Sequence, residues 1–295
     1  MKKEKILFAV NPISGGGLDQ DYENTIDKFS REFGYEFSIY KTTGKNDVQN
    51  IKKHIDEFKP DKVIAAGGDG TINMVATLLI NTKIKLGIIP LGSANGLAFG
   101  LNIPTRFKEA LLTNINEPYK KIDVVRVNGK EYCIHLSDIG INARIVKRFE
   151  EDGSRGMLGY GKQLFKELFS PKTYFSYQIN ANQVRKRSKA EMIVFGNATS
   201  YGTGVKINPH GKINDGEFEV IVIKPYPWWF IFTFIFSGFT GSLHKRRHVD
   251  IYSAKKAEIK LDREQDFQVD GEVKGKIKLL KLEVVKDALM VPYRE

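Results

Sequence analysis

The chain has 295 residues, 41% hydrophobic and 27% charged, which is the composition of a globular protein with length for a sizeable core and two domains of ordinary size. A single cysteine, Cys133, excludes an internal disulfide and fits a reducing cytoplasm; Met1-Lys2-Lys3-Glu4-Lys5 leads straight into a strand-like run, with no expected signal peptide. The net charge of +11 admits nucleic acid, anionic lipid or ATP and selects none of them, because lysines are spread along the whole chain.

The first half alternates strand and helix. Residues 5–10 read as a strand, followed by the turn Asn11-Pro12-Ile13-Ser14-Gly15-Gly16-Gly17. Residues 21–33 have helical spacing at Tyr22, Ile26 and Phe29. Residues 35–40 form the next strand, then Thr42-Thr43-Gly44 and a helix over 47–58 with Val48, Ile51 and Ile55 on one face. Pro60 breaks that helix. The run Lys62-Val63-Ile64-Ala65-Ala66 then reads as a buried strand, Gly67-Gly68-Asp69-Gly70 as a turn, and 71–79 as a helix. Residues 86–89 form a further buried strand, running into Pro90-Leu91-Gly92-Ser93-Ala94-Asn95-Gly96.

Strands separated by helices of this length predict a parallel sheet with its ligand at the carboxyl ends of the strands. Three polar, Gly-containing turns (11–17, 67–71 and 92–96) would all lie at that edge. Glycine removes the Cβ that would keep a phosphate away from the backbone, and a helix N-terminus offers unpaired N–H groups. A carboxylate set among such glycines makes sense if a divalent cation lies between Asp69 and the phosphates. Neither the P-loop nor the G-x-G-x-x-G fingerprint is present, so the expected site is a nucleotide-phosphate site of uncommon type.

Beyond Asp123 the texture becomes β-rich. Short runs at 122–127, 132–136, 173–179, 190–195, 217–223, 257–261, 266–269 and 277–285 are punctuated by Asn128-Gly129, Asn214-Asp215-Gly216 and Asp270-Gly271. A mostly antiparallel sandwich or barrel is expected, with an inserted helix at 155–169 and the basic run 185–189 as a solvated hairpin. The histidines show no zinc spacing, and no G-x-S-x-G suggests a hydrolase.

Asn11-Pro12-x-Ser14-Gly15, Gly67-Gly68-Asp69-Gly70-Thr71, Pro90-x-Gly92-Ser93-x-Asn95, Asn208-Pro209…Asp215-Gly216 and Asp270-Gly271-Glu272 follow one another over essentially the whole chain. In that order and spacing they resemble the catalytic family of bacterial diacylglycerol kinases and sphingosine kinases, which are soluble lipid kinases. The resemblance implies an α/β N-terminal domain like those of phosphofructokinase and NAD kinase, residues 1–124, to which 286–295 return. A β-rich C-terminal sandwich, 125–285, would bind lipid.

Position by position, the resemblance implies a cleft for ATP lined by Asn11, Pro12, Ile13, Ser14, Gly15, Thr42, Gly67, Gly68, Asp69, Gly70, Thr71, Ile72, Asn73, Ser93 and Asn95. Asp69 would engage Mg²⁺ and the phosphates. The proton acceptor would fall within Asp270-Gly271-Glu272, supported by Asp123, with Asp69 a competitor for that role. A second, structural divalent site would use Lys212, Asp215 and Glu217. Gly96 stands where many bacterial members have Asp, which leaves diacylglycerol, a sphingoid base, phosphatidylglycerol and other lipid alcohols open as acceptors; Arg144, near where sphingosine kinases place an acid to meet the amine, would repel a sphingoid ammonium and suit an anionic headgroup.

NAD kinase shares the Gly-Gly-Asp-Gly-Thr motif and is the alternative enzyme; a catalytically silent membrane-surface or nucleic-acid-binding protein is the alternative of another class. The expected partner is a lipid at the inner face of the membrane, met through 228–239 (Trp228 to Phe239) and the basic 244–248 (His244 to His248). As a helix the apolar stretch would span ~18 Å, short of a ~30 Å hydrocarbon core. Nucleic acid is not an expected partner, and a homodimer is the expected assembly if the chain associates.

Overall fold

The computed structural model describes residues 3–14, 21–141, 143–146, 173–201, 206–209, 211–227, 240, 242 and 247–293. The expected helix at 155–169, the apolar stretch 228–239, Gly15 and His244, Lys245 and Arg246 lie outside the described residues. The chain forms two compact units, Met1–Ile122 with Asp287–Glu295, and Asp123–Lys286.

In the first unit β1 (Lys5–Val10), β2 (Glu36–Lys41), β3 (Lys62–Gly67) and β4 (Lys85–Pro90) are parallel, in the order β2-β1-β3-β4. Residues 6–10 and 62–67 are buried along their length, as continuous apolar runs must be when a parallel sheet is covered on both faces. The helices α1 (Tyr22–Phe33), α2 (Asp47–Phe58), α3 (Asp69–Leu79), α4 (Gly96–Gly100) and α5 (Phe107–Asn116) connect or follow the strands. In α1 the buried stripe is Tyr22, Thr25, Ile26 and Ser30; Gly34 ends the helix at φ 72°, its N–H donating to Ser30 O.

The start of α3 lies two residues before its expected position, which puts Asp69 in the first helical turn. The fully buried Asn114 fastens α5 to β4. Its Oδ1 accepts the Ile88 N–H at 2.7 Å, and its Nδ2 donates to Ile88 O and Ala110 O. Beside it the buried Lys62 ammonium donates to Asn114 O at 2.8 Å and lies over the Tyr119 ring; burial pulls its pKa down. Near the end of the chain Met290 pairs in parallel with Lys85 of β4.

The second unit is antiparallel. It takes the end of β5 (Tyr119–Val127), then β6 (Glu131–Cys133), β7 (Leu136–Gly140), β8 (Phe175–Ala181), β9 (Val184–Ala190), β10 (Met192–Gly196), β11 (Phe218–Ile223), β12 (Val249–Ala254), β13 (Lys256–Val269) and most of β14 (Glu272–Pro292). One run is ordered β12-β11-β10-β7-β13, and β13 also pairs with β8 and β14. The architecture is thus an α/β N-terminal domain with a parallel sheet and a β-rich C-terminal sandwich.

Three details differ from the sequence reading. The run 132–136 breaks at Ile134-His135 into β6 and β7. The basic run 185–189 is itself strand β9, paired with β8 and exposed over most of its length. The runs 257–261 and 266–269 join into one strand, β13, with a register shift between Lys260 and Gln265. Strand β7 divides its side chains between two cores: Ile139 joins Phe195, Phe267 and Val269, whereas Leu136 joins Met192, Val194 and Ile221. Among the described residues no helix is long and apolar enough to cross a membrane.

Candidate active site

At the carboxyl edge of the first unit's sheet, the ends of β1, β3 and β4 are stitched together by backbone. The Asn11 N–H donates to Ala66 O and the Leu91 N–H to Gly67 O, each at 2.8 Å. The Asn11 side chain then holds two turns: Oδ1 accepts the Ile13 N–H at 3.1 Å, and Nδ2 donates to Thr71 Oγ1 at 3.3 Å. Ser14 N–H donates to Asn11 O, while Pro12 and Ile13 are exposed. Thr42 follows β2, its N–H donating to Val10 O at 2.8 Å.

The glycines here serve space rather than unusual dihedrals, since Gly67, Gly68 and Gly92 are absent from the positive-φ glycines. A Cβ on Gly67 would stand 2.5 Å from Thr71 Cβ, and one on Gly92 would stand 2.7 Å from Gly68 Cα. The turns after β3 and β4 therefore touch backbone to backbone. Asp69 joins them: its Oδ1 accepts the Gly96 N–H at 2.7 Å. Burial pushes the Asp69 carboxyl up, against N–H donors from Gly96 and Asn95 that pull it down.

Not every expected residue presents its side chain. The Asn95 side chain closes its own turn, accepting the Gly92 N–H and donating to Gly92 O, and Ile72 is buried in the core. Ser93 is exposed, as is Gly70 in the first turn of α3. Asn73 is half-buried, with a buried Oδ1 that has no hydrogen-bond partner among the described residues.

In the second unit Asp270 and Gly271 form the two-residue turn between β13 and β14, where Val269 pairs with Glu272. Their φ values of 47° and 87° both lie in the left-handed region, as a type I′ hairpin requires and as Asp-Gly tolerates. This turn is more than a connection. Asp270 Oδ2 accepts the Ile134 N–H at 2.7 Å and Oδ1 the His135 N–H at 3.0 Å, so its carboxylate is held at the gap between β6 and β7. Glu272 is paired with Lys274 at 3.0 Å.

Asp123 serves a different turn. Buried, it accepts the Gly216 N–H on Oδ2 at 2.6 Å, its own N–H donates to Ile213 O, and its carbonyl accepts from Asn197. That anchors the loop carrying Lys212, Asp215 and Glu217, in which Asp215 Oδ1 accepts the Glu217 N–H and Glu217 Oε2 accepts from Ser253. Among the described residues no three His, Cys, Asp or Glu side chains gather as a metal site. A cation in this loop would depend on backbone oxygens beside Asp215.

Sequence reasoning missed Ser137, Asp138, Tyr201 and Gln268, which surround the Asp270 turn. The available signal was Asp138 itself, a carboxylate set among Ile134, Leu136, Ile139 and Ile141.

Compared with known families, residues 5–127 match the diacylglycerol kinase catalytic domain, and residues 137–292 match the YegS C-terminal NAD kinase beta sandwich-like domain. The chain is 29% identical to a "Probable lipid kinase YegS-like" of Yersinia enterocolitica, over 96% of this chain and 95% of that protein. It is 30% identical to a "Probable lipid kinase YegS" of Salmonella arizonae, over 82% and 81%. It is 27% identical to a diacylglycerol kinase of Bacillus subtilis, over 93% and 91%. In fold it is similar to a crystal structure of a diacylglycerol kinase from Bacillus anthracis, with TM-score 0.80, 24% identity and coverage of 100% and 98%. An NAD kinase from Archaeoglobus fulgidus in complex with ATP is more distant in fold, with TM-score 0.56, 12% identity and coverage of 99% and 94%.

Proposed function

The chain belongs to the YegS-like and diacylglycerol kinase family of lipid kinases, and we propose that it transfers the γ-phosphoryl group of ATP to the hydroxyl of a lipid alcohol. Its being a kinase follows from the family; the lipid class and the parts assigned to residues are our reading. The carrying observation is the backbone-to-backbone contact of the Gly68 and Gly92 turns, beside the N-terminus of α3. Such an edge admits phosphate oxygens to the main chain and aims a helix dipole at them.

The residues present suit ATP with Mg²⁺. Mg²⁺ is usually held by one or two carboxylates, with phosphates and water completing its shell, and Asp69 is the carboxylate of these turns. When bound, the ion offsets charge on the phosphates. Asn11 and Thr71 hold the first two turns together, and the main-chain N–H groups around Gly68 orient the nucleotide.

A lipid hydroxyl does not ionise in neutral water, so a carboxylate must accept its proton as attack proceeds. Asp270 is proposed for that part. Two N–H donors fix its place, and a carboxylate oxygen has a further lone pair for a hydroxyl proton. Asp123 and Asp215 are proposed to shape the loop near Gly216 and hold its cation rather than to move protons. Contact with the inner face of the membrane through 228–239 stays a proposal from sequence, as does a homodimer. Trp228 and Trp229 are the chain's only tryptophans, so a blue shift of fluorescence on anionic vesicles, reduced by salt, is its test.

The test of function is a lipid-extract screen with γ-labelled ATP and identification of the labelled product. A labelled lipid monoester is expected. Labelled NADP from an NAD-containing arm, with no labelled lipid, would move the chain to the NAD kinases.

A further inference from the structure

We infer that Tyr201, Asp138 and Gln268 are positioning residues that set the orientation of the Asp270-Gly271 turn. Asp138 and Gln268 stand directly opposite each other on β7 and β13, and both are buried. Asp138 also pairs with Val194 of β10, and Leu136, two residues before it on β7, joins the Val194 core. An ionised carboxylate in such surroundings is costly unless it is well hydrogen-bonded, and an apolar residue would pack there at no such cost.

What Asp138 provides is direction. Its Oδ2 accepts the Tyr201 O–H at 3.1 Å and a bond from Gln268 Nε2. A carboxylate only accepts, so Gln268 must turn its NH₂ toward β7. Its Oε1 is then committed to the other side, where it accepts the Gly271 N–H at 2.6 Å. An amide facing a neutral hydroxyl could flip; facing a carboxylate, it cannot do so without losing both bonds. The preceding N–H of the turn, that of Asp270, donates to Ser137 Oγ at 3.2 Å. Strand β7 thus holds both N–H groups of the turn, one through Ser137 and one through the Asp138–Gln268 pair. The Asp270 carboxylate meanwhile reaches the N–H groups of Ile134 and His135 just before β7. Both turn residues are left-handed, and these bonds fix the backbone from which the Asp270 side chain projects.

The effect on catalysis rests on Asp270 as proton acceptor, so the experiment reads both catalysis and the turn. Q268E sets a second carboxylate against Asp138. At pH 8 its kcat should fall about 10²-fold with KM for ATP unchanged, the scale of a displaced reacting group, and recover as the pH falls and the pair takes up a proton. D138N/Q268E exchanges amide and carboxylate and should regain at least tenfold of that loss. Y201F should keep the fold and lower kcat several-fold, again without a change in KM for ATP. Independently, the Gly271 amide proton should be downfield in ¹⁵N-glycine spectra of the full chain, move upfield in Q268E and return in the double variant. A double variant no more active than Q268E, or kcat of Q268E equal to wild type at pH 8, overturns the inference. If Q268E fails to fold, D138N/Q268E and Y201F decide: wild-type kcat in Y201F together with an unshifted Gly271 resonance overturns it. If Asp270→Asn keeps full activity, the proton-acceptor reading has failed, and the Gly271 resonance alone decides whether the relay exists.

Discussion

The Asp69 carboxylate accepts the Gly96 backbone N–H at 2.7 Å, so the acidic residue of the turn after β3 also fastens the beginning of α4, which follows β4. It therefore serves two ends, one structural and one, on our reading, toward the nucleotide. The two separate by substitution. Asp69→Asn keeps an oxygen for the Gly96 N–H and removes the charge; Asp69→Ala removes both. Asp69→Asn should keep the wild-type melting temperature while turnover falls and the apparent Mg²⁺ requirement rises. Asp69→Ala should add a loss of roughly 1–2 kcal/mol, the cost of an orphaned, partly buried N–H. Titrations of activity against Mg²⁺, beside thermal melts, check both; an unchanged Mg²⁺ requirement in Asp69→Asn would move the ion elsewhere.

Asp270→Asn is less conservative than it looks. The carboxylate accepts two N–H groups, Ile134 and His135, whereas an amide presents one acceptor and turns its NH₂ toward the other donor. The variant should lose about 10²–10⁴-fold in kcat, with ATP binding near normal. It should also lose on the order of 1–3 kcal/mol of stability, since a buried donor loses its acceptor. Single-turnover kinetics beside ATP binding by calorimetry check the split, and weakened ATP binding would place Asp270 in the nucleotide site instead.

How far the sequence reaches is clear from these same residues. Strands β1 and β3 were legible because fully apolar runs such as Val63-Ile64-Ala65-Ala66 leave few alternatives for a buried segment. Helix α5 was not, because its core-facing positions include Thr113 and the fully buried Asn114, which break the apolar period. The gap at Ile134-His135 is where backbone N–H groups turn to a carboxylate 136 residues later in the chain. Asp138 likewise meets its partner Gln268 across 130 residues. Motifs close in sequence carried the glycine turns, but no local pattern encodes a bond between distant strands. The left-handed Asp270-Gly271 turn was legible as a hairpin from its dipeptide alone.

His135 makes stability pH-dependent. Burial lowers its pKa to about 4, against a hydrogen bond from the ring to the Ser200 backbone carbonyl that raises it. Its Nε2 is buried with no partner among the described residues, so the ring stays neutral. The unfolded chain takes up this proton near the ordinary value of 6.5. The contribution is therefore fully present above pH 6.5 and lost as the pH falls toward about 4, at ~1.4 kcal/mol per unit. Urea unfolding from pH 7 to pH 4.5 should show that slope in wild type and a flatter one in His135→Gln. Equal slopes would assign the acid sensitivity to other groups.

Gly92 offers the most direct test of the phosphate edge. Its backbone is open to any residue, so alanine adds no dihedral strain there. The added methyl carbon would stand 2.7 Å from Gly68 Cα and 2.8 Å from Asn95 Oδ1, and neither neighbour is the loose end of a flexible side chain. The turns after β3 and β4 must then part by several tenths of an ångström, displacing the N–H groups proposed to meet phosphate. Gly100, at the end of α4, has nothing within 4 Å of the equivalent position and is the control. Gly92→Ala should raise KM for ATP tenfold or more and leave KM for the lipid near its original value, because the lipid is proposed to bind in the second unit. Gly100→Ala should change neither constant. Should Gly92→Ala bind ATP as wild type does, the nucleotide does not rest on this pair of turns, and the site must be sought away from the β3 and β4 edge.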